Sequence, residues 1–143
     1  MHDVSIFRLY LLRAAYLLIA VGLGSLIWPT LLDTPTSLEH MRGVVRALLA
    51  AVGVLALVGI RYPLKMLPLL FFELVWKTIW LLAIGLPLLS ADAFTPGTRE
   101  TWRDCLIGIA LCLLVIPWGY VLATYVRAPG DRWRNARGAG HGE

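Results

Sequence analysis

The stretch "LPLLFFELVWKTIWLLAIGLPLL", residues 67–89, is an almost continuous apolar run in which only Glu73 and Lys77 carry charge. A helix that crosses a lipid bilayer needs roughly 20 consecutive apolar residues, and this run is long enough. Three further stretches have similar length and composition: about residues 9–28, 43–60 and 106–126. The sequence therefore predicts four membrane-spanning helices.

The composition supports one membrane domain. Of the 143 residues, 59% are apolar, against roughly 45–50% in a soluble domain, and the mean hydropathy is +0.74. The alternating pattern of a transmembrane barrel is absent. We therefore predict an all-α, integral membrane four-helix bundle over residues 1–126. Residues 127–143 should form a basic, partly disordered cytoplasmic tail that begins along the lipid headgroups.

The first apolar run resembles a targeting segment, because Arg8 and Arg13 lie at its start. However, the run is long, Trp28-Pro29 closes it, and no clear cleavage site follows. We expect a retained first helix.

The distribution of Lys and Arg predicts the orientation. With four spans, the termini and the second loop share one side. That side carries eight of the 13 Lys and Arg residues, the other side carries four, and Lys77 lies within the third span. Cytoplasmic loops are the ones enriched in Lys and Arg, so both termini should be cytoplasmic. The net charge of +4 is thus a topology signal that points to the lipid bilayer as a partner and not to nucleic acid.

Prolines predict where the helices end or bend. The third helix should begin at Pro63 with a kink at Pro68, or begin at Pro68 itself. Pro87 should close it. Pro117 should kink the fourth helix and free the carbonyl of Leu113.

Capping and packing patterns add detail. Thr36 with Glu39 forms a capping box that would start helix 2 near residue 37, and Thr95-Pro96 or Thr98 would start helix 4. Small residues at helical spacing indicate close helix packing: Gly43, Ala47 and Ala51 in helix 2, Ala20 and Gly24 in helix 1, and Gly108 and Cys112 in helix 4.

The two charges inside the third span are the main candidate site. Each would cost about 2.5–3.5 kcal/mol at the bilayer centre, and Glu73 and Lys77 are one helical turn apart, in the favourable order for a pair. We expect them to pair and to face the bundle interior. Estimated depths add further candidates for a ligand or ion pathway in the inner half of the bundle: Arg13, Tyr16, Trp76, Trp80 and Tyr120.

A second pair is predicted near the outer face, where Arg46 and Asp104 have similar depths. Cys105 and Cys112 share one face of helix 4, and their spacing suits packing better than redox chemistry. The three histidines have no metal-ligand spacing, and cofactor-binding motifs are missing. We therefore expect no metal, no cofactor and no catalytic residue.

The four-helix layout with both termini inside resembles the DoxX-like group of bacterial membrane proteins. The segments "RYPLKMLPLLFFELVWKTIW" (residues 61–80) and "PWGYVLATYVRAPGDRWR" (residues 117–134) look like those of uncharacterised bacterial membrane proteins. The resemblance implies the inner membrane of a bacterium as the location and carries over no catalytic residue.

Three functions compete. The first is a structural, accessory or partner-binding membrane protein, in which Glu73 and Lys77 hold helices together and which associates with itself or with a membrane-protein partner. The second is a carrier or channel for a small solute, ion or proton, which would need a homodimer because one four-helix bundle is thin for alternating access. The third is a membrane enzyme that acts on a lipid or quinone. The missing reactive constellation places catalysis last.

Overall fold

The computed structural model describes residues 4–33 and 40–131, and within these ranges all regular structure is helical, which confirms the all-α class. We number five helices: α1 (Ile6–Leu32), α2 (His40–Arg61), α3 (Leu67–Ser90), α4 (Pro96–Val115) and α5 (Trp118–Arg127). Each of α1, α2 and α3 is long and apolar enough to cross a membrane, and α4 with α5 makes a fourth candidate if the bent pair counts as one span.

The first four helices form a ring in chain order. The most extensive contacts join α1 to α2 and α3 to α4, and smaller contacts join α1 to α4 and α2 to α3. Within the described ranges, α2 and α4 do not pack against each other, so they lie diagonally across the bundle. This arrangement decides which side chains can meet.

The helix ends agree with the prolines and caps only in part. Thr95 caps α4, its hydroxyl accepting from the Thr98 N–H at 3.2 Å, and α3 begins at Leu67 with Pro68 in its first turn. Pro87 does not close α3. A π-helical turn, Leu81–Gly85, comes just before this proline, which has no N–H to donate, and the helix continues to Ser90.

Helix α1 also extends beyond its predicted end. It runs through Pro29 to Leu32, and the N–H of Asp33 bonds to the Pro29 carbonyl at 3.1 Å. Pro29 lacks the N–H of one helical hydrogen bond, yet the helix continues for one further turn beyond it. The capping box of Thr36 and Glu39, and the tail beyond residue 131, lie outside the described residues.

The kink predicted at Pro117 is stronger than expected: α4 ends at Val115, α5 begins at Trp118, and the two are bent by 74°. The freed carbonyl of Leu113 accepts from the indole Nε1 of Trp118 at 2.8 Å. The carbonyl of Ile116 accepts from the guanidinium of Arg8 at 3.2 Å, across the bundle. Both side chains thus satisfy backbone groups that would otherwise be unpaired in an apolar environment.

The core lies toward the end of the bundle that holds the α2–α3 loop. Tyr16 is fully buried there, and its hydroxyl donates to the Pro63 carbonyl at 2.9 Å. Its ring packs directly on Gly59, where an added Cβ would lie 2.6 Å from the Tyr16 Cγ. Because any side chain at 59 would displace the ring, Gly59 permits the close approach of α1 and α2.

The predicted stripe of small residues on α2 faces the wrong way for this contact. Ala47 and Ala51 are exposed, and it is Ala50, Gly53, Ala56 and Gly59 that are buried. A period of four in small residues did not distinguish the two faces, because both faces of α2 contain them.

Gly59→Ala should destabilise the bundle by about 1–3 kcal/mol, the typical cost of overpacking, because the anchored Tyr16 ring has no room to move. Gly22→Ala is the matched control, since nothing lies within 4 Å of a Cβ at that position and alanine is the better helix former. Thermal unfolding in detergent measures both. Equal stability of the two variants would contradict the packing described.

Candidate functional site

The charged pair of α3 forms within the bundle. The ammonium of Lys77 donates to Oε2 of Glu73, and the side chains are only 13% and 7% exposed. The same ammonium lies 4.3 Å from the centre of the Trp76 ring, a distance at which an aromatic face attracts a cation. A carboxylate, an indole and an ammonium within about one helical turn of α3 thus form one cluster.

Gly108 of α4 makes room for this cluster. A Cβ at that position would lie 2.8 Å from Cδ of Lys77, so the aliphatic part of the lysine occupies the space that a side chain would fill. Cys105 and Cys112 are buried on the same face of α4. We call the pair of Glu73 and Lys77, whose lysine occupies the notch at Gly108 of α4, the clasp.

Two polar atoms of the cluster make no hydrogen bond within the described part of the chain. Glu73 Oε1 and Trp76 Nε1 are buried, and neither has a hydrogen-bond partner among the described residues. Buried polar atoms are nearly always paired in native structures, so each such atom requires an explanation.

A cavity of about 240 Å³ adjoins the clasp between α1, α3 and α4. We call it the lateral groove; Glu73 and Lys77 are the charged residues of its lining, and most of the rest is aliphatic, including Ala14, Leu18, Leu111 and Leu114. Leu18 and Leu114 at its edges are 59% and 66% exposed. The groove therefore opens on the side of the bundle, where α1 and α4 have little contact.

The other candidate pathway residues do not converge on the clasp. Arg13 donates to the Ile60 carbonyl at 3.2 Å, and Tyr16 bonds the Pro63 carbonyl. Both side chains thus satisfy backbone carbonyls at the end of α2 and in the following loop. Tyr120 packs against the core without a hydrogen bond among the described residues. An estimate of depth predicts the height of a residue in the bundle, but it does not predict the direction in which the side chain points.

The two tryptophans of α3 also have different surroundings. Trp76 belongs to the clasp, whereas Trp80 lies near Gly85, 3.1 Å from a Cβ added there. Trp102 of α4 fills the same place and stacks edge-on with Phe94 at 5.6 Å between centroids. Trp80 thus packs beside a second close contact between α3 and α4.

The predicted outer pair of Arg46 and Asp104 does not form. Arg46 donates to the Thr30 carbonyl at 3.4 Å, and Asp104 pairs with its neighbour Arg103 at 3.0 Å. The reason is the ring order, which places α2 and α4 diagonally, so that residues of equal depth on these helices are far apart.

Two residues of the arrangement were missed by sequence reasoning in their actual roles. Gly108 was noted only as a small packing residue, and Arg8 only as a topology charge. A glycine on a neighbouring helix, at the height of a lysine within an apolar segment, is the signal that could have indicated the notch.

Among the described residues, no group of three or more His, Cys, Asp or Glu side chains lies together in a way that could hold a metal ion. Comparison of the chain with models of known protein families, with curated proteins and with solved structures finds no match. The DoxX-like resemblance therefore stays a prediction. Function has to be argued from the geometry of the clasp and the groove.

Gly108→Ala should destabilise the bundle by about 1–3 kcal/mol, since the new methyl group displaces Lys77 from Glu73. In a Lys77→Ala background the same change should cost nothing, because its clashing neighbour is gone. Unfolding free energies of the four proteins measure this coupling. Gly119→Ala, with open space around it, is the control. An equal cost of Gly108→Ala in both backgrounds would mean that Lys77 does not occupy the notch.

Proposed function

We propose that this chain is a four-span integral membrane protein with a structural or accessory role, in which the clasp holds α3 against α4 and the outer surface associates with lipid or with a membrane-protein partner. The observation that carries the proposal is that Lys77 is bonded to Glu73 and packed against Gly108 of α4. Lys77 contacts Glu73, Trp76 and the Gly108 notch. Nearby, the side chains of Arg8, Arg13 and Tyr16 bond to backbone carbonyls and not to the clasp.

The exposed surface supports insertion into a bilayer. In the most apolar 18-residue window of α1, only 6% of the residues are buried within the chain, and the corresponding shares are 28% for α2 and 22% for α3. Large exposed apolar side chains follow α1 along its length. A soluble monomer rarely presents so much continuous apolar surface, whereas lipid tails cover it without cost.

The charge distribution supports cytoplasmic termini and an inner-membrane location. Arg8 and Arg13 at the start of α1 lie at the same end of the ring as Arg61 and Lys65 around the α2–α3 loop, because the helices alternate in direction. Cations concentrate on the cytoplasmic side of membrane proteins. The end of the bundle with the buried Tyr16 is then the cytoplasmic half.

A carrier or channel is the second candidate. Its support is the unpaired Oε1 of Glu73, which belongs to a residue lining the lateral groove. The groove opens sideways, however, and Arg13, Tyr16 and Tyr120 do not extend it toward the cytoplasmic end. Transport would therefore need a second copy of the chain to complete a path, whereas a clasp needs none.

Removing one partner of the clasp should be far more harmful than removing both. Glu73→Gln and Lys77→Met each leave an uncompensated buried charge and should each cost about 3–5 kcal/mol, while the double variant should recover a large part of the loss. Unfolding free energies in detergent give the coupling energy. If the double variant loses the sum of the two single losses, the pair is not a clasp.

The exposed pair of Arg103 and Asp104 provides the matched control for that cycle. Its side chains are 66% and 65% exposed, and exposed pairs contribute about 0–1 kcal/mol. Asp104→Asn should therefore leave the stability nearly unchanged. A loss as large as that of Glu73→Gln would indicate that burial is not the source of the effect.

The orientation predicts the behaviour of reporters fused to the C-terminus. A reporter that is fluorescent only in the cytoplasm should be active, and a phosphatase that folds only outside the cytoplasm should be inactive. Fusions after residue 93, in the α3–α4 loop, should give the reverse pattern. Activity of the phosphatase at the C-terminus would overturn the orientation.

A further inference from the structure

We propose that the lateral groove binds a lipid-soluble molecule with a single hydroxyl group, and that this hydroxyl donates a hydrogen bond to Oε1 of Glu73. The molecule would enter sideways from the bilayer, so the inference rests on the membrane insertion proposed above. The structural role proposed for the clasp requires no ligand, so this binding site would be an additional function.

The unused carboxylate oxygen indicates what kind of group would bind. Glu73 is 5% exposed, its Oε2 is held by Lys77, and Oε1 has no partner among the described residues. An ionised carboxylate only accepts hydrogen bonds, so the missing partner must be a donor. In an apolar groove, that donor has to arrive with a ligand or with water.

Lys77 narrows the chemistry to a group that both accepts and donates hydrogen bonds, of which a hydroxyl is the most compact uncharged example. Its ammonium carries three donors, of which the bond to Glu73 uses one. A ligand atom beside the clasp should therefore be able to accept a hydrogen bond from Lys77 as well as donate one to Glu73. A hydroxyl does both. A carbonyl could not donate to Oε1, and an ammonium group could not accept from Lys77.

The size and position of the groove suit part of an apolar molecule. Its volume of about 240 Å³ exceeds that of a roughly 150 Å³ apolar cavity that holds benzene and falls below the roughly 300–1,000 Å³ of a site for a whole drug-sized ligand. Exposed Leu18 and Leu114 flank the opening. The hydroxyl end would thus lie inside while the rest of the molecule extends into lipid.

Photolabelling in vesicles tests the proposal. The full chain is reconstituted in phosphatidylethanolamine–phosphatidylglycerol vesicles, and protease protection establishes insertion. Two diazirine probes are compared, a hexadecanol with the diazirine near the hydroxyl and the matched hexadecane without the hydroxyl. A lipophilic phenol bearing the same group is the third probe and distinguishes an aromatic from an aliphatic source of the hydroxyl.

At least one hydroxyl probe should label groove residues of α1 and α4 roughly tenfold more than the hydrocarbon, about the factor that a hydrogen bond to a charged group supplies. Mass spectrometry of the adducts identifies the residues. Ala14→Trp should abolish this preference by filling the groove, since Ala14 is exposed and lines it. Ala110→Trp is the matched control, because Ala110 is exposed on α4 and is not part of the lining.

Equal labelling by the alcohol, the phenol and the hydrocarbon in inserted protein would overturn the binding site and leave the proposed structural role standing, with water as the partner of Oε1. A hydroxyl preference that survives Ala14→Trp would place binding elsewhere and would also overturn it. Failure of the chain to insert would overturn both proposals.

Discussion

A charge within an apolar bundle has to be compensated inside that bundle, and much of this structure follows from that constraint. Glu73 compensates Lys77 on the same helix, and Trp76 supplies an aromatic face for the ammonium. The lysine needs space, which Gly108 provides on the facing helix. Lys77 and Gly108 therefore mark one of two points at which α3 and α4 approach closely, the other being Gly85 with Trp102.

The same constraint applies to backbone groups. The bend at Pro117 frees carbonyls that apolar surroundings could not satisfy, and Trp118 and Arg8 bond to them. Arg13 and Tyr16 serve the end of α2 and the loop after it in the same way. These four side chains thus bond to the backbone and not to the clasp, and the lateral groove beside the clasp is mainly aliphatic.

Much of the fold was predictable, since each apolar segment, the Thr95 cap and the spacing of Glu73 and Lys77 are local features that helical geometry converts directly into structure. Apart from the helix ends predicted at Pro29 and Pro87, which the helices pass, the predictions that failed concerned which residues are neighbours. Depth gives the height of a residue in the bundle but not its direction, so Arg13 and Tyr16 were expected near Glu73. Likewise, Arg46 and Asp104 were paired by height, while the ring order separates their helices.

The central claim is that an ionised Glu73 pairs with Lys77 inside the bundle, and infrared spectroscopy of the protein in bilayers tests it most directly. The difference spectrum between the wild type and Glu73→Gln isolates the absorption of this one side chain. The account predicts the loss of carboxylate stretching bands and no band of a protonated carboxyl group. A protonated C=O band from Glu73 at neutral pH would contradict it, because a neutral carboxyl group does not compensate the lysine.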